Sequence, residues 1–421
     1  MNPQADHRQY NKQPVRASLG NNAKSLHIPE RGVERFEEKK RFRYSLQRQA
    51  GRLLWEPTAG KKQKFRVCHC CRSIQGEGVT VYRKENGTGA RFAGLTTCGS
   101  GWTCPVCAVK IGEVRREELS AAMVQHVGSG GRVNLTTMTF PHELDMPLAE
   151  LMEKFDKARQ KFKNSRSYKA VFNANEEGRS GCIGCVSSLE ITHGANGWHP
   201  HLHMLSFTER SINPEEIAKL TKAWVNCLLK CGLGDNSKLN DMMEHSLDVR
   251  GGEDAAAYVA KYGREEKWGI TSELTRSHTK KGIGDSLTPF GMLALASVGD
   301  DQAAALFQEF ANVFIGRRLI TFSPGLRARF GMNADNESEE AAAAAPEEAE
   351  NYVGWITPDQ WRVVLQTNSR AELLAYAASC CSNPETAQTD LNDFIESLRA
   401  APVRSRGWFY SPMRPNPANF H

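Results

Sequence analysis

Three histidines at alternate positions, His199, His201 and His203, form the pattern that most clearly predicts chemistry in this chain. Residues two apart in a β-strand project from one face, so the three imidazoles would point the same way. The Asn-Gly dipeptide just before them is a strong signal for a two-residue hairpin turn, which places Glu190 opposite His203 on that face. Imidazoles beside a carboxylate suit a divalent cation with open positions for a substrate oxygen. We therefore predict a metal site here, with His199 as a ligand or as a support for one.

Two tyrosines follow the histidines, and they predict a nucleophile. On a helix, Tyr258 and Tyr262 lie on one face, and Lys261 is three residues from Tyr258. A phenol with its usual pKa of about 10 is a poor nucleophile at neutral pH unless a cation helps it, and Lys261 or a metal ion can do so. Two such tyrosines on their own would more often pack into a core. Next to the histidine hairpin they favour attack on a phosphodiester, which conserves the energy of the broken bond in a covalent phosphotyrosine and releases a 3′ hydroxyl.

The combined pattern resembles the HUH endonucleases that initiate rolling-circle replication. His201-Leu202-His203 matches their histidine–hydrophobic–histidine motif, and the tyrosine spacing looks like that of the two-tyrosine branch, which includes the gene A proteins of small single-stranded DNA phages. Plasmid replication initiators with Gly-Trp-His-Pro-His-x-His are similar too. The resemblance covers roughly residues 65–330, including the strand-like segment 133–140.

The resemblance implies roles for these side chains: metal ligation for Glu190, His201 and His203, nucleophilic attack for Tyr258 and Tyr262, and charge stabilisation for Lys261. It implies an α+β fold in which helices flank a central antiparallel sheet of HUH endonuclease type. It also implies Mg²⁺ or Mn²⁺ at the catalytic site, with single-stranded or supercoiled origin DNA, a host helicase and the replication machinery as partners. Some plasmid relatives carry a glutamate four residues before one tyrosine. Tyr258 occupies that position here, which favours two nucleophiles.

The function expected from this resemblance is site-specific nicking and rejoining of single-stranded DNA at a plasmid or phage origin, which starts rolling-circle replication. A transposase of rolling-circle insertion sequences would use the same two-tyrosine chemistry. A zinc-ribbon DNA-binding regulator without catalysis is the alternative from another class, but it leaves the histidines and tyrosines unexplained.

The cysteines predict a second, structural metal site. Six of the twelve lie within residues 65–110, where Cys68-x-x-Cys71 and Cys104-x-x-Cys107 form two tight pairs. Two such pairs match the spacing of a four-thiolate zinc site, which contributes folding energy. Cys70 is left over, and Cys98 could replace one ligand or be a buried thiol.

Composition and charge predict five regions. Residues 1–64 are expected to be a basic, mostly disordered arm, since residues 1–66 carry sixteen Lys/Arg against six Asp/Glu. A Cys-rich zinc module (65–110), the endonuclease domain (111–330), an acidic alanine-rich linker (331–350) and a small helical appendage (351–421) follow. The chain has no export signal and no long apolar run, so we expect a cytoplasmic protein without a membrane span.

Single residues and short runs could contact DNA. Four basic runs are candidate phosphate contacts: 61–66, Arg115-Arg116, Lys280-Lys281 and Arg317-Arg318. Trp198 and Trp268 could stack on unpaired bases or pack into the core.

Overall fold

The computed structural model of the chain describes residues 30–60, 62–85, 89–142, 146–172, 180–251, 286–344, 350–379, 381 and 383–400. It has the expected α+β architecture of antiparallel sheets flanked by helices. The described strands are β1 (Val79–Lys84), β2 (Ala90–Ala93), β3 (Arg132–Met138), β4 (Gly184–Gly194), β5 (Gly197–Thr208), β6 (Leu247–Gly251), β7 (Ile320–Phe322) and β8 (Glu350–Ile356).

The described α-helices are α1 (Glu30–Leu53), α2 (Pro105–Gly128), α3 (Leu148–Asn164), α4 (Arg166–Phe172), α5 (Pro214–Lys230), α6 (Leu239–His245), α7 (Pro289–Ser297), α8 (Asp301–Phe314), α9 (Leu326–Arg329), α10 (Glu339–Ala344), α11 (Pro358–Gln366), α12 (Arg370–Ser379) and α13 (Ala387–Ala400). None of them combines the length and apolar character that a membrane crossing needs.

The larger sheet has five antiparallel strands in the order β6-β3-β5-β4-β7, so the hairpin of β4 and β5 lies near its middle. One face is apolar and packs into the main core through residues such as Met138, Leu189 and Leu202. On the opposite face, Leu135 and Leu205 pack in a smaller core with the buried side of α2. Because side chains alternate along each strand, the histidines continue this second face beyond that core.

Helix α5 shows how local sequence sets an element of the main core. Its first residue is Pro214, and Asn213 and Glu216 form a reciprocal capping box at its start. One side of the helix is buried, including Trp224, whose indole Nε1 donates to the carbonyl of Thr139 at 3.1 Å. The helix therefore supports the end of the strand beside the histidines.

The N-terminal segment contains a helix where a mostly disordered arm was expected. Helix α1 buries Leu46 and Ala50 in the main core, so its apolar positions gain enough burial to order a segment whose overall composition is polar. The basic charge of the arm is thus carried partly by a packed helix.

The C-terminal region also differs from the expected small helical appendage. Its strand β8 pairs antiparallel with β1 of the Cys-rich module, giving a three-stranded sheet in the order β2-β1-β8. Helices α11, α12 and α13 cover this sheet with a separate apolar core, to which Trp361 and Leu373 contribute. The predicted boundary between a Cys-rich module and an appendage therefore divides one structural unit.

The acidic stretch at 331–350 is partly folded as well. Helix α10 buries Ala342 and Ala343, which belong to the main core. Its Glu340 is exposed, whereas the carboxylate of Glu339 accepts a hydrogen bond from the backbone N–H of Leu319. The alanines explain why this stretch packs, because their small side chains allow the helix to approach the core closely.

Candidate active site and cysteine cluster

The histidine hairpin forms as predicted, but its turn is shifted. Gly194 pairs with Gly197, so Ala195 and Asn196 are the two loop residues. A turn centred on Asn196-Gly197 would need positive φ at both positions, whereas among these residues Gly197 alone has it, at 80°. Glu190 is consequently paired with His201 instead of His203. The shift is by two residues, so every side chain stays on its predicted face.

The site's polar side chains meet at short distances. His203 Nε2 lies 3.1 Å from Glu190 Oε2, and His201 Nε2 lies 3.2 Å from His199 Nδ1. The rings of His201 and His203 are parallel, with 6.2 Å between their centroids. The neighbouring strand β3 adds Thr137, whose hydroxyl is 3.2 Å from His203 Nδ1. The hydroxyl hydrogen bond orients the His203 ring so that its Nε2 faces the carboxylate.

One residue of this cluster was missed by the sequence analysis. His142 follows β3, and its ring stacks on that of His199 with centroids 4.3 Å apart. Thr139, in the same segment, places its hydroxyl 3.1 Å from His199 Nε2. The available signal was the position of His142 just past a strand that pairs with the histidine strand, since such a strand ends beside the same imidazoles.

The electrostatics of the cluster favour neutral imidazoles beside an ionised carboxylate. Burial, followed by the neighbouring His201 and His142, lowers the pKa of His199 to about 4. Burial also lowers the pKa of His201. The hydrogen bond from His203 lowers the pKa of Glu190. Near neutral pH, His199 and His201 therefore offer nitrogen lone pairs and Glu190 offers an anionic oxygen, which is the protonation state that metal binding requires.

The four candidate metal-binding side chains form two pairs, and the donor atoms of each pair are spaced as around a small divalent cation. Adjacent ligand atoms of an octahedral ion with bonds of about 2.1 Å are roughly 3.0 Å apart. The Glu190–His203 and His199–His201 distances of 3.1 and 3.2 Å match that separation. The four donors do not form one compact group: in the described residues, the cysteine cluster is the only set of three or more His, Cys, Asp or Glu ligand atoms within 4.8 Å of one another.

The cysteine cluster consists of four buried thiols: Cys70, Cys98, Cys104 and Cys107. The Sγ atom of Cys107 lies 3.5 Å from that of Cys70 and 3.6 Å from that of Cys98. The geometry is held by Cys104, which caps the start of α2, and by backbone N–H groups that donate to the sulfurs of Cys70 and Cys98. This buried group could hold a structural metal ion such as Zn²⁺.

The cluster contains only half of the ligand set predicted from spacing. Cys104 and Cys107 belong to it, but Cys68 and Cys71 do not, and Cys70 and Cys98 stand in their places. Cys68 ends a short 3₁₀ turn and directs its thiol to the carbonyl of Gly51, 3.5 Å away. Cys71 has a left-handed backbone, with φ of 51°, and its Sγ stays 3.8 Å from Cys70 at the edge of the group. The direction that the chain takes after the 3₁₀ turn therefore brings Cys70, rather than Cys68 or Cys71, into the cluster.

Several predicted residues lie outside the described ones: Tyr258, Lys261, Tyr262, Trp268, Lys280 and Lys281.

Two of the other predicted DNA contacts, the arginine pair at 115–116 and Trp198, make contacts within the protein. The Arg115 side chain is 3% exposed and pairs with Glu118, and Arg116 pairs with Glu113. Trp198 is buried, and its indole Nε1 donates to Glu309 at 3.1 Å. Core packing therefore accounts for Trp198.

The sequence of this chain is similar to that of a known protein over about two thirds of its length. No protein-family model matches it, and no solved structure does. It is similar to a protein of Streptomyces lividans named "Protein rep", with 27% identity over 353 residues that span 68% of this chain and 76% of the relative.

Proposed function

We propose that this protein is a replication initiator that nicks and rejoins single-stranded DNA at an origin, through a covalent tyrosine intermediate. The observation that carries the proposal is the central hairpin on which Glu190 and three histidines share one face. We take the similarity to "Protein rep" as support for the replication role over the transposase alternative.

The metal in this proposal is Mg²⁺ or Mn²⁺, held by His201, His203 and Glu190, with His199 as a further ligand or a support. When bound, it would polarise the scissile phosphate as a Lewis acid. The short Glu190–His203 and His199–His201 distances, the lowered pKa of Glu190 and the neutral His199 and His201 support this assignment. Thr137 and Thr139 hold the rings of His203 and His199 in orientation.

The nucleophiles in this proposal are Tyr258 and Tyr262, with Lys261 stabilising negative charge. The phenol oxygen of one tyrosine forms a bond to phosphorus while the bond from phosphorus to the 3′ oxygen breaks. The phenol proton leaves to a base or solvent, and the released strand ends in a 3′ hydroxyl. Reversal by that or another 3′ hydroxyl rejoins the DNA, so no external energy source is needed. The second tyrosine would cut again while the first remains linked.

The test is to incubate the protein with single-stranded origin DNA and Mn²⁺ and to look for a covalent adduct by denaturing gel and by mass spectrometry of the linked peptide. We expect an adduct on Tyr258 or Tyr262 and none in the Tyr258→Phe/Tyr262→Phe double variant, which still binds DNA. Tyr352→Phe is the matched control, because Tyr352 is exposed on the smaller sheet, away from the histidines. An adduct in the double variant would sink the nucleophile assignment, and DNA binding without any adduct would leave a non-catalytic binding protein.

A further inference from the structure

A cavity on the other face of the larger sheet is lined by three arginines, two residues with hydroxyl groups and three leucines. Its floor is formed by Ser187 of β4 and Thr321 of β7, which are paired across the two strands, together with two leucines. Its walls carry Arg159 from α3 and the pair Arg317 and Arg318, which lead into β7. The side chains of Thr321 and Arg318 are exposed, so the cavity opens to solvent. It therefore differs from the histidine site in position, charge and lining.

The cavity is large enough for a polyatomic ligand. Its volume is about 180 Å³. One water needs roughly 10–15 Å³ by the same measure. A tetrahedral oxyanion with part of an attached chain therefore fits inside it.

The charges around the cavity are unbalanced. Arg159 and Arg317 both pair with a single carboxylate, that of Asp156, at 3.1 and 2.8 Å. None of the described residues that line the cavity is acidic, and Arg318 adds a third guanidinium. Burial lowers the pKa of the Arg159 guanidinium; Asp156 opposes this shift, and the repulsion from Arg317 adds to it. An anion that enters would relieve this repulsion.

The available hydrogen-bond donors match an oxyanion. The Nε atom of Arg159 is buried and has no hydrogen-bond partner among the described residues. Ser187 and Thr321 add two hydroxyl groups to the lining of the cavity. Guanidinium groups present donors in a planar fork that suits phosphate oxygens, and hydroxyls add single donors.

We propose that this cavity binds a phosphate group. On the proposed function, that group is a backbone phosphate of single-stranded DNA, held on the sheet face opposite the metal site. Arg159, Arg317 and Arg318 would supply the charge, while Ser187 and Thr321 would supply hydroxyl donors. The cavity would thus anchor a strand away from the scissile bond and position it without reading its bases.

The experiment has two binding arms, neither of which requires cleavage, so it is independent of the tyrosine test. The first measures binding of a fluorescent oligothymidine to the full chain at several salt concentrations. The second measures the shift in melting temperature caused by inorganic phosphate. Arg318→Gln removes an exposed cation, and Arg159→Gln removes an inner one. Arg329→Gln is the matched control, because Arg329 is exposed but does not line the cavity.

We expect Arg318→Gln and Arg159→Gln each to weaken oligothymidine binding about tenfold, the equivalent of one charge-assisted hydrogen bond. Losing one phosphate contact on a single strand should also reduce the salt slope by about 0.7, whereas Arg329→Gln should not change it. If only the phosphate arm responds to the variants, the site is supported but its ligand is a free phosphate rather than DNA. If neither arm distinguishes the two variants from Arg329→Gln, the proposal is overturned; because Arg318 is exposed, that variant keeps the test valid if Arg159→Gln fails to fold.

Discussion

At the scale of single residues, the contact between Glu190 and His203 decides whether the hairpin can bind a cation. Replacing Glu190 with Gln keeps the size of the side chain but removes the anionic oxygen, so we expect Mn²⁺ affinity to fall by at least tenfold. Isothermal titration calorimetry of wild type and Glu190→Gln measures this directly. Glu209→Gln is the control, since Glu209 is exposed just beyond the far end of the same hairpin. Equal Mn²⁺ affinity in Glu190→Gln and wild type would contradict the proposed metal site.

The cysteines allow an equally direct comparison between two buried thiols of one module. Cys98 belongs to the four-thiol group, whereas the thiol of Cys68 contacts the carbonyl of Gly51. We therefore expect Cys98→Ser to lose zinc and to unfold at a lower temperature, because structural zinc contributes directly to folding. Cys68→Ser should retain one zinc per chain. Elemental analysis of the purified variants gives the metal content, and the reverse pattern would restore the ligand set predicted from spacing.

At the scale of elements, the turn of the histidine hairpin depends on one glycine. Gly197 has φ of 80°, a conformation that costs an L-residue with a side chain about 1–2 kcal/mol. We expect Gly197→Ala to lower the free energy of unfolding by that amount and to weaken metal binding, because the turn sets the register of the histidines. Gly128→Ala, at the end of α2, is the control: nothing lies within 4 Å of its added methyl. Urea unfolding compares them, and equal stability of Gly197→Ala and wild type would show that the turn carries no such constraint.

The same hairpin shows how far local sequence predicts structure. The two strands of the hairpin and the shared face of His199, His201 and His203 follow from the alternation of residues, and both are present. The exact register of the two strands cannot be predicted in this way. Both possible turns satisfy the alternation, and only the backbone conformation at Gly197 distinguishes them. Zinc ligands are harder still, since the choice of Cys70 over Cys68 depends on a chain reversal that spacing does not encode.

At the scale of the whole molecule, Arg370 joins the C-terminal unit to the cysteine cluster. Its side chain is buried, and its Nη1 donates to Gln47 Oε1 at 2.8 Å and to the Cys71 carbonyl at 3.0 Å. Gln47 in turn donates to the Cys104 sulfur at 3.3 Å. One guanidinium therefore connects helix α12, helix α1 and the predicted zinc site.

We expect Arg370→Gln to lower the free energy of unfolding by about 2–3 kcal/mol, because it removes charge-assisted hydrogen bonds to buried acceptors. We also expect faster release of zinc to a chelator, since Gln47 loses the contact that positions it. Arg362→Gln is the control, because Arg362 is exposed and pairs only with nearby Asp359 in the described residues. Zinc release at the wild-type rate in Arg370→Gln would show that the two regions are not coupled.

The pairing of β8 with β1 could not be predicted, because the two strands are far apart in sequence and no local pattern indicates which strands pair. It also has a consequence for biosynthesis. When β1 emerges from the ribosome, the strand that will pair with Val79 and Val81 has not yet been made. At about 5–20 residues per second, the delay is on the order of tens of seconds. Throughout that interval, a nascent chain displays an unpaired, apolar strand edge, the kind of surface that chaperones cover.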